Sequence, residues 1–327
     1  MLEHGGRLQR AAREYDIALD HWLDLSTGIS PFGWPVPAIP SSAWQRLPED
    51  DDGLIDCARS YYGAPHVLPV AGSQAAIQAL PLLRAPCRVG VIAPGYAEHA
   101  QAWQCAGHAV ERHPAQALLA HPQRWDVLVL IHPNNPGGER FGVQALLQLH
   151  AALAAHGGWL VVDEAFMDVT PGESLCAHAD RDGLIVLRSV GKFFGLAGAR
   201  AGFVCATAAL LHALQERLGP WTLSGPTRYV LRQALGDRAW HAQARAMLIE
   251  TSEKLARLLA KHRLEPSAGC ALFQWCRHDA AQTVHRALAR MGILTRLFED
   301  VPSLRFGLPP DEAAFHRLDT ALAQVMR

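Results

Sequence analysis

The chain has 327 residues, half of them apolar, and sets 30 Lys and Arg against 31 Asp and Glu for a formal charge of −1. That length can bury a large core and favours two unequal domains, while the balanced charge argues against nucleic acid and anionic membranes as partners. The opening Met1-Leu2-Glu3-His4-Gly5-Gly6 has no basic-then-apolar signal, and no apolar run approaches the roughly 20 residues of a spanning helix, so the cytoplasm is the expected location.

In chain order, Pro31, Pro35, Pro37 and Pro40 punctuate residues 1–43 too densely for regular structure, which predicts an arm lying across another surface. Gly72-Ser73-Gln74 opens a helix from about Ala75. Short runs rich in Val, Ile and Leu predict buried strands over 88–92, 126–131, 159–163, 184–189 and 201–205. Apolar residues at helical spacing between and after them predict helices over 98–107, 143–156 and 208–218. A long helix to about His262, a strand over 271–276, a helix over 280–291, a strand over 304–307 and a last helix from Asp311 follow. The alternation implies an α/β fold with a mostly parallel sheet and helices on both faces. The expected organisation is an arm (1–43), a large domain (44–235) and a smaller α+β domain (236–327).

Ligands of open parallel sheets sit at the carboxyl ends of the strands, where four places converge. Gly72-Ser73-Gln74 presents backbone N–H groups that suit a phosphate, or it is an ordinary turn. In Pro94-Gly95-Tyr96 the tyrosine offers a flat face to a planar ring, or it is a rim residue. In His132-Pro133-Asn134-Asn135-Pro136-Gly137-Gly138, the proline after Asn135 holds that asparagine extended and able to aim its amide, although Asn-Pro and Gly-Gly also mark turns. The fourth place is Asp163-Glu164-Ala165-Phe166 with Ser189-Val190-Gly191-Lys192 and Arg200. An acid ending a strand, a lysine after the next and an arginine eight residues on are the parts needed to hold and use pyridoxal phosphate. A phosphate-loop ATPase would need Gly-Xaa4-Gly-Lys followed by Ser or Thr, whereas Phe193 follows Gly191-Lys192. Seven cysteines without a Cys-Xaa-Xaa-Cys pair and 17 scattered histidines suggest neither a disulfide frame nor a metal site.

Together the four places resemble the fold-type I pyridoxal phosphate enzymes of the aminotransferase class I/II group, over most of the chain from about Leu25. The resemblance implies Ser73 and Gln74 in the phosphate loop, Tyr96 stacked on the ring and Asn135 at the ring oxygen. It further implies Asp163 at the pyridine nitrogen, Ser189 and Arg200 on the phosphate, and Lys192 as the lysine that forms a Schiff base with the cofactor. Tyr61, in Ser60-Tyr61-Tyr62-Gly63, matches a tyrosine that in relatives reaches the phosphate of a neighbouring subunit, which implies a homodimer.

Within that group the chain is similar to the threonine-phosphate decarboxylases of cobalamin synthesis, with the histidinol-phosphate aminotransferases as the alternative. The narrower likeness rests on His4-Gly5-Gly6, on Asp24-Leu25-Ser26-Thr27-Gly28-Ile29-Ser30-Pro31-Phe32-Gly33 and on Phe166 where the aminotransferases carry tyrosine. It implies decarboxylation of L-threonine O-3-phosphate to (R)-1-aminopropan-2-yl phosphate, with His4 and Gly5 near the substrate phosphate. Arg305 would bind the substrate carboxylate, and Arg296 would lie near the phosphate. The chain departs from the pattern at Gly28 and Ser30, which replace asparagines, at Gly137, which replaces a threonine, and at His99, which replaces a second tyrosine. Phe166 has no hydroxyl for the ring oxygen, leaving that contact to Asn135.

Overall fold

The computed structural model describes residues 4–326 and divides into two compact units. The larger unit comprises residues 33–135 and 140–241, and the smaller comprises the residues up to Phe32, 136–139 and those from Ala242 onward. The described part of the N-terminal segment is thus shared between the units, whereas the sequence had suggested a separate arm up to residue 43.

The strands, numbered along the chain, are β1 (Leu23–Asp24), β2 (Val67–Val70), β3 (Arg88–Ile92), β4 (Ala109–His113), β5 (Val127–Ile131), β6 (Trp159–Asp163) and β7 (Leu184–Ser189). They continue with β8 (Gly202–Cys205), β9 (Ala268–Cys270), β10 (Phe273–Arg277), β11 (Ile293–Leu294), β12 (Arg296–Phe298) and β13 (Ser303–Gly307).

A seven-stranded sheet in the order β2-β8-β7-β6-β5-β3-β4 forms the larger unit. Strands β3 to β7 run parallel, and only β8 opposes its neighbours. Every residue of β5 and β7 is buried, as expected for strands covered on both faces. Val89, Val91, Val127, Val129, Val161 and Ile185 build a core with Ala76, Ile77, Ala100 and Trp103 from the helices Ser73–Ala79 and Glu98–Cys105. The reversal of β8 has a chemical consequence. Because β7 and β8 are antiparallel, the loop joining them leaves and re-enters the same edge of the sheet, so Lys192 and Arg200 both sit at the carboxyl edge of the parallel strands.

Beneath that edge lies a buried ion network. Arg188 of β7, 1% exposed, donates to Glu164 Oε2 at 2.6 Å and to Asp168 Oδ1 at 2.8 Å. Ser174 Oγ and the Leu175 N–H also donate to Glu164, at 2.5 and 2.7 Å. Burial opposes the charge on Arg188, but Asp168 and Glu164 outweigh it and hold the guanidinium firmly protonated.

The smaller unit has a four-stranded antiparallel sheet, β12-β13-β10-β9, and a short parallel pair, β1 with β11. Its helices include Ala281–Arg290, Glu312–Val325 and all but the first four residues of Arg238–Lys261; Glu312–Val325 is capped by Asp311, whose carboxylate accepts from the Ala314 N–H. The N-terminal segment is more regular than its prolines suggested, with a helix at Leu8–Tyr15. Leu8, Ala11, Ala12 and Tyr15 recur at helical spacing and pack with Trp22, Ala289 and Leu294, and the prolines all lie beyond this stretch. Among the described residues no helix is long and apolar enough to cross a membrane.

Arg188→Met would leave two buried carboxylates without their cation, so denaturant unfolding should show a loss of about 3–5 kcal/mol. Adding Glu164→Gln and Asp168→Asn should recover part of it. A loss below about 1 kcal/mol for the single change would mean that the network is hydrated in solution.

Candidate active site

The carboxyl edge of the larger sheet carries a pocket of about 130 Å³. Its floor is Asp163, the last residue of β6, 4% exposed. Two donors orient the carboxylate: the Ala165 N–H at 3.0 Å from Oδ1, and His99 Nε2 at 2.8 Å from Oδ2. His99 is 1% exposed and sits in the helix Glu98–Cys105, which follows β3. A carboxylate can only accept, so Nε2 carries the proton of this bond.

Tyr96 lines the pocket three residues before His99, with the two rings edge to face at 6.1 Å. Its hydroxyl donates to Gln74 Oε1 at 3.3 Å, and Gln74 Nε2 donates to Glu98 Oε2 at 3.0 Å. Burial, with Glu98 and Asp163 adding to it, pushes the Tyr96 hydroxyl up to about 12, so it remains a donor across the physiological range. Asn135, beyond β5, and Phe166, beyond β6, also line the pocket. Lys192 is half-buried there, its Nζ 5.6 Å from the centre of the Phe166 ring.

Ser73, Ser189 and Arg200 converge at the same pocket, at the ends of β2 and β7 and just before β8. Arg200 adopts a left-handed backbone, φ 48°, a conformation that non-glycine residues take at some cost and that recurs at functional sites. Gly72, with φ 72°, passes so close that a Cβ there would lie 2.9 Å from the Arg200 guanidinium. The absent side chain leaves the space beside that cation open.

These groups fit pyridoxal phosphate. The amine of Lys192 suits its aldehyde, the buried Asp163 its ring nitrogen, the walls of Tyr96 and Phe166 its flat ring, and Asn135 its ring oxygen. Ser73, Ser189 and Arg200 offer two hydroxyls and a guanidinium for its phosphate.

Tyr61 is placed elsewhere. Its hydroxyl donates to Asp168 Oδ1 at 2.9 Å, and its ring packs against Tyr62, Phe194 and His241 at 4.9, 5.6 and 4.8 Å. It does not line its own chain's pocket, and a role at the phosphate of a neighbouring subunit goes with the proposed homodimer.

The smaller unit holds a second cluster. Arg296 of β12 and Arg305 of β13 are direct cross-strand partners. Arg305 is 7% exposed, and burial together with the charge of Arg296 lowers it to about 10, still cationic at neutral pH. Like charges directly opposite each other across a sheet destabilise it, and the attraction of Asp24 offsets part of that at Arg305. Arg305 Nη2 donates to the Ser26 carbonyl at 2.7 Å. The segment His4-Gly5-Gly6 meets the same residue, with the Gly6 N–H donating to Ser26 Oγ at 2.7 Å.

The sequence pattern of the class I and II aminotransferases matches residues 52–310. The chain belongs to that family. A threonine-phosphate decarboxylase from Pseudomonas aeruginosa is 56% identical over 322 residues, spanning 98% of this chain and 97% of that one. One from Sinorhizobium is 41% identical, spanning 98% of each. The solved structure of a histidinol-phosphate aminotransferase from Sinorhizobium meliloti, in complex with pyridoxal-5'-phosphate, aligns with 100% of this member of the family and 95% of that chain. The TM-score is 0.85 at 21% identity, a likeness of fold.

For this family member, sequence reasoning singled out His99 only as a substitution and did not pair it with Asp163. The spacing of Tyr96 and His99 on one helical entry was the available signal. His99→Phe removes a hydrogen bond to a charged group, worth about 1.5–3 kcal/mol. Titration of the apo-protein with pyridoxal phosphate, followed by visible absorbance, should show the dissociation constant rising by roughly tenfold or more. An unchanged constant would mean that Ala165 alone orients Asp163.

Proposed function

We propose that the protein is a pyridoxal phosphate-dependent decarboxylase that converts L-threonine O-3-phosphate into CO2 and (R)-1-aminopropan-2-yl phosphate, as a cytoplasmic homodimer serving cobalamin synthesis. The end-to-end likeness to the Pseudomonas aeruginosa threonine-phosphate decarboxylase carries the choice of reaction. The pocket around Lys192 and Asp163 accounts for its chemistry. The homodimer rests on the match of Tyr61 to a tyrosine that in relatives reaches a neighbouring subunit.

Pyridoxal phosphate, when bound, supplies an electron sink for the bond broken at the substrate Cα. Lys192 would be the amine that holds the cofactor and, once freed, the acid placed to return a proton to the substrate Cα. Asp163, oriented by His99 and Ala165, holds the ring nitrogen in its protonated form. Phe166 offers an apolar face where a tyrosine would add a hydroxyl, leaving Asn135 as the donor to the ring oxygen.

Which bond at Cα breaks would be set by how the protein orients the substrate's carboxylate and Cα hydrogen. Arg305 supplies a planar guanidinium for the carboxylate, and Arg296 with His4 and Gly5 serves the substrate phosphate.

Purified holoenzyme incubated with L-threonine O-3-phosphate should release CO2 and an equal amount of the aminopropyl phosphate. Histidinol phosphate with 2-oxoglutarate should give no glutamate. Glutamate without CO2 would move the assignment to an aminotransferase while leaving the site intact. Lys192→Ala should abolish both turnover and the bound cofactor's visible band; a band that borohydride still fixes to the protein would assign attachment to another lysine. Arg305→Ala should raise KM by about 100-fold with cofactor retained, the loss expected for a charged hydrogen-bonding partner. Release of cofactor instead would remove Arg305 from the substrate site.

A further inference from the structure

Ser26, 2% exposed, stands in the turn after β1, and three sets of hydrogen bonds meet on it. Its N–H and its Oγ–H both donate to Asp24 Oδ1, at 2.9 and 2.6 Å. Its Oγ accepts from the Gly6 N–H at 2.7 Å, and its carbonyl accepts from Arg305 Nη2 at 2.7 Å. The roles are mutually consistent. A hydroxyl has one proton and two lone pairs, and with the proton directed at a carboxylate the lone pairs are left for the Gly6 amide. The 2.6 Å separation is that of a bond to an ionised acceptor.

The fit on the other side is equally close. A Cβ on Gly5 would collide with the Ser26 carbonyl oxygen and come within 3.3 Å of its Oγ, so only glycine lets the segment lie against this residue. The carbonyl that Gly5 crowds is the one that Arg305 grips. Arg305 is a buried cation directly opposite a second one, a costly arrangement that Asp24 eases. Seating both the N-terminal segment and this arginine on one serine makes sense when their relative placement matters to a ligand that carries two anionic groups.

We propose that Ser26, fixed by Asp24, is a positioning residue that places His4-Gly5 and Arg305 in one register for the phosphate and the carboxylate of L-threonine O-3-phosphate. The inference rests on the decarboxylase reading given above. Ser26 does not line the pocket around Lys192. Its carbonyl holds the arginine, and its hydroxyl holds the segment that carries the histidine.

The test compares wild-type holoenzyme with Ser26→Ala, Gly5→Ala and Ser26→Thr. Ser26→Ala removes the hydroxyl and keeps the carbonyl, so the N-terminal segment should loosen while Arg305 stays seated. KM for L-threonine O-3-phosphate should rise by about tenfold or more, with kcat changing by less than about threefold. Cofactor affinity and absorbance should stay as in wild type, and amide exchange over residues 4–8 should quicken. Gly5→Ala displaces the segment from its own side with the Asp24 and Ser26 pair intact, and should give the same KM defect even if Ser26→Ala folds poorly. Ser26→Thr retains the hydroxyl and should restore KM to within about threefold of wild type. A purely structural serine would instead lower the melting temperature and cofactor occupancy and leave KM unmoved in the molecules that fold. That result, or unchanged KM in both alanine variants while wild type releases CO2, overturns the positioning role alone. Wild-type enzyme that releases no CO2 overturns the decarboxylase reading and this inference with it.

Discussion

The site at the sheet edge depends on one constraint, which is that Asp163 must be held where almost no water reaches it. A carboxylate at 4% exposure needs donors, and it has them in the His99 ring and the Ala165 amide. Each of those donors is placed by something larger. His99 enters with the helix that returns from β3, and Ala165 belongs to the turn that closes β6. Parallel pairing of β3, β5 and β6 brings both to the same end, and the pairing is possible because these strands are apolar on both faces. Core packing, strand direction and the charge at the pocket floor are thus one problem with one solution.

The next residue along, Glu164, faces the opposite way and solves the converse problem. Its partner Arg188 also engages Asp168, which in turn accepts from Tyr61. Two consecutive acids therefore serve two functions, one open to a ligand and one closed into the fold. The alternation of side chains along a strand is what separates them, since neighbouring residues point to opposite faces.

Much of this was legible in the sequence because it is local. Strands such as β3, β6 and β7 announce themselves by unbroken apolar runs, and Asp163, Ser189 and Lys192 follow directly from where those runs stop. Strands β2 and β4 were missed for opposite reasons. The first is four residues long and contains Pro69, and the second, Ala-Val-Glu-Arg-His, is an exposed edge with polar side chains. The bond from His99 to Asp163 spans 64 positions and the one from Arg305 to Ser26 spans 279, so no window of sequence contains either. The bond from Tyr61 to Asp168 likewise spans 107 positions. The helix at Leu8–Tyr15 was hidden by the prolines that follow it, although its own periodicity is regular.

The facing pair Arg296 and Arg305 has a thermodynamic side. Two cations on adjacent strands oppose each other's charge, Asp24 offsets part of that at Arg305, and an anion held beside them would offset more. Ligand binding and the integrity of this sheet are then linked quantities, each strengthening the other by the same free energy. Such a site would favour a molecule with two negative groups over one with a single group without any steric barrier, because the second group relieves repulsion that the first leaves.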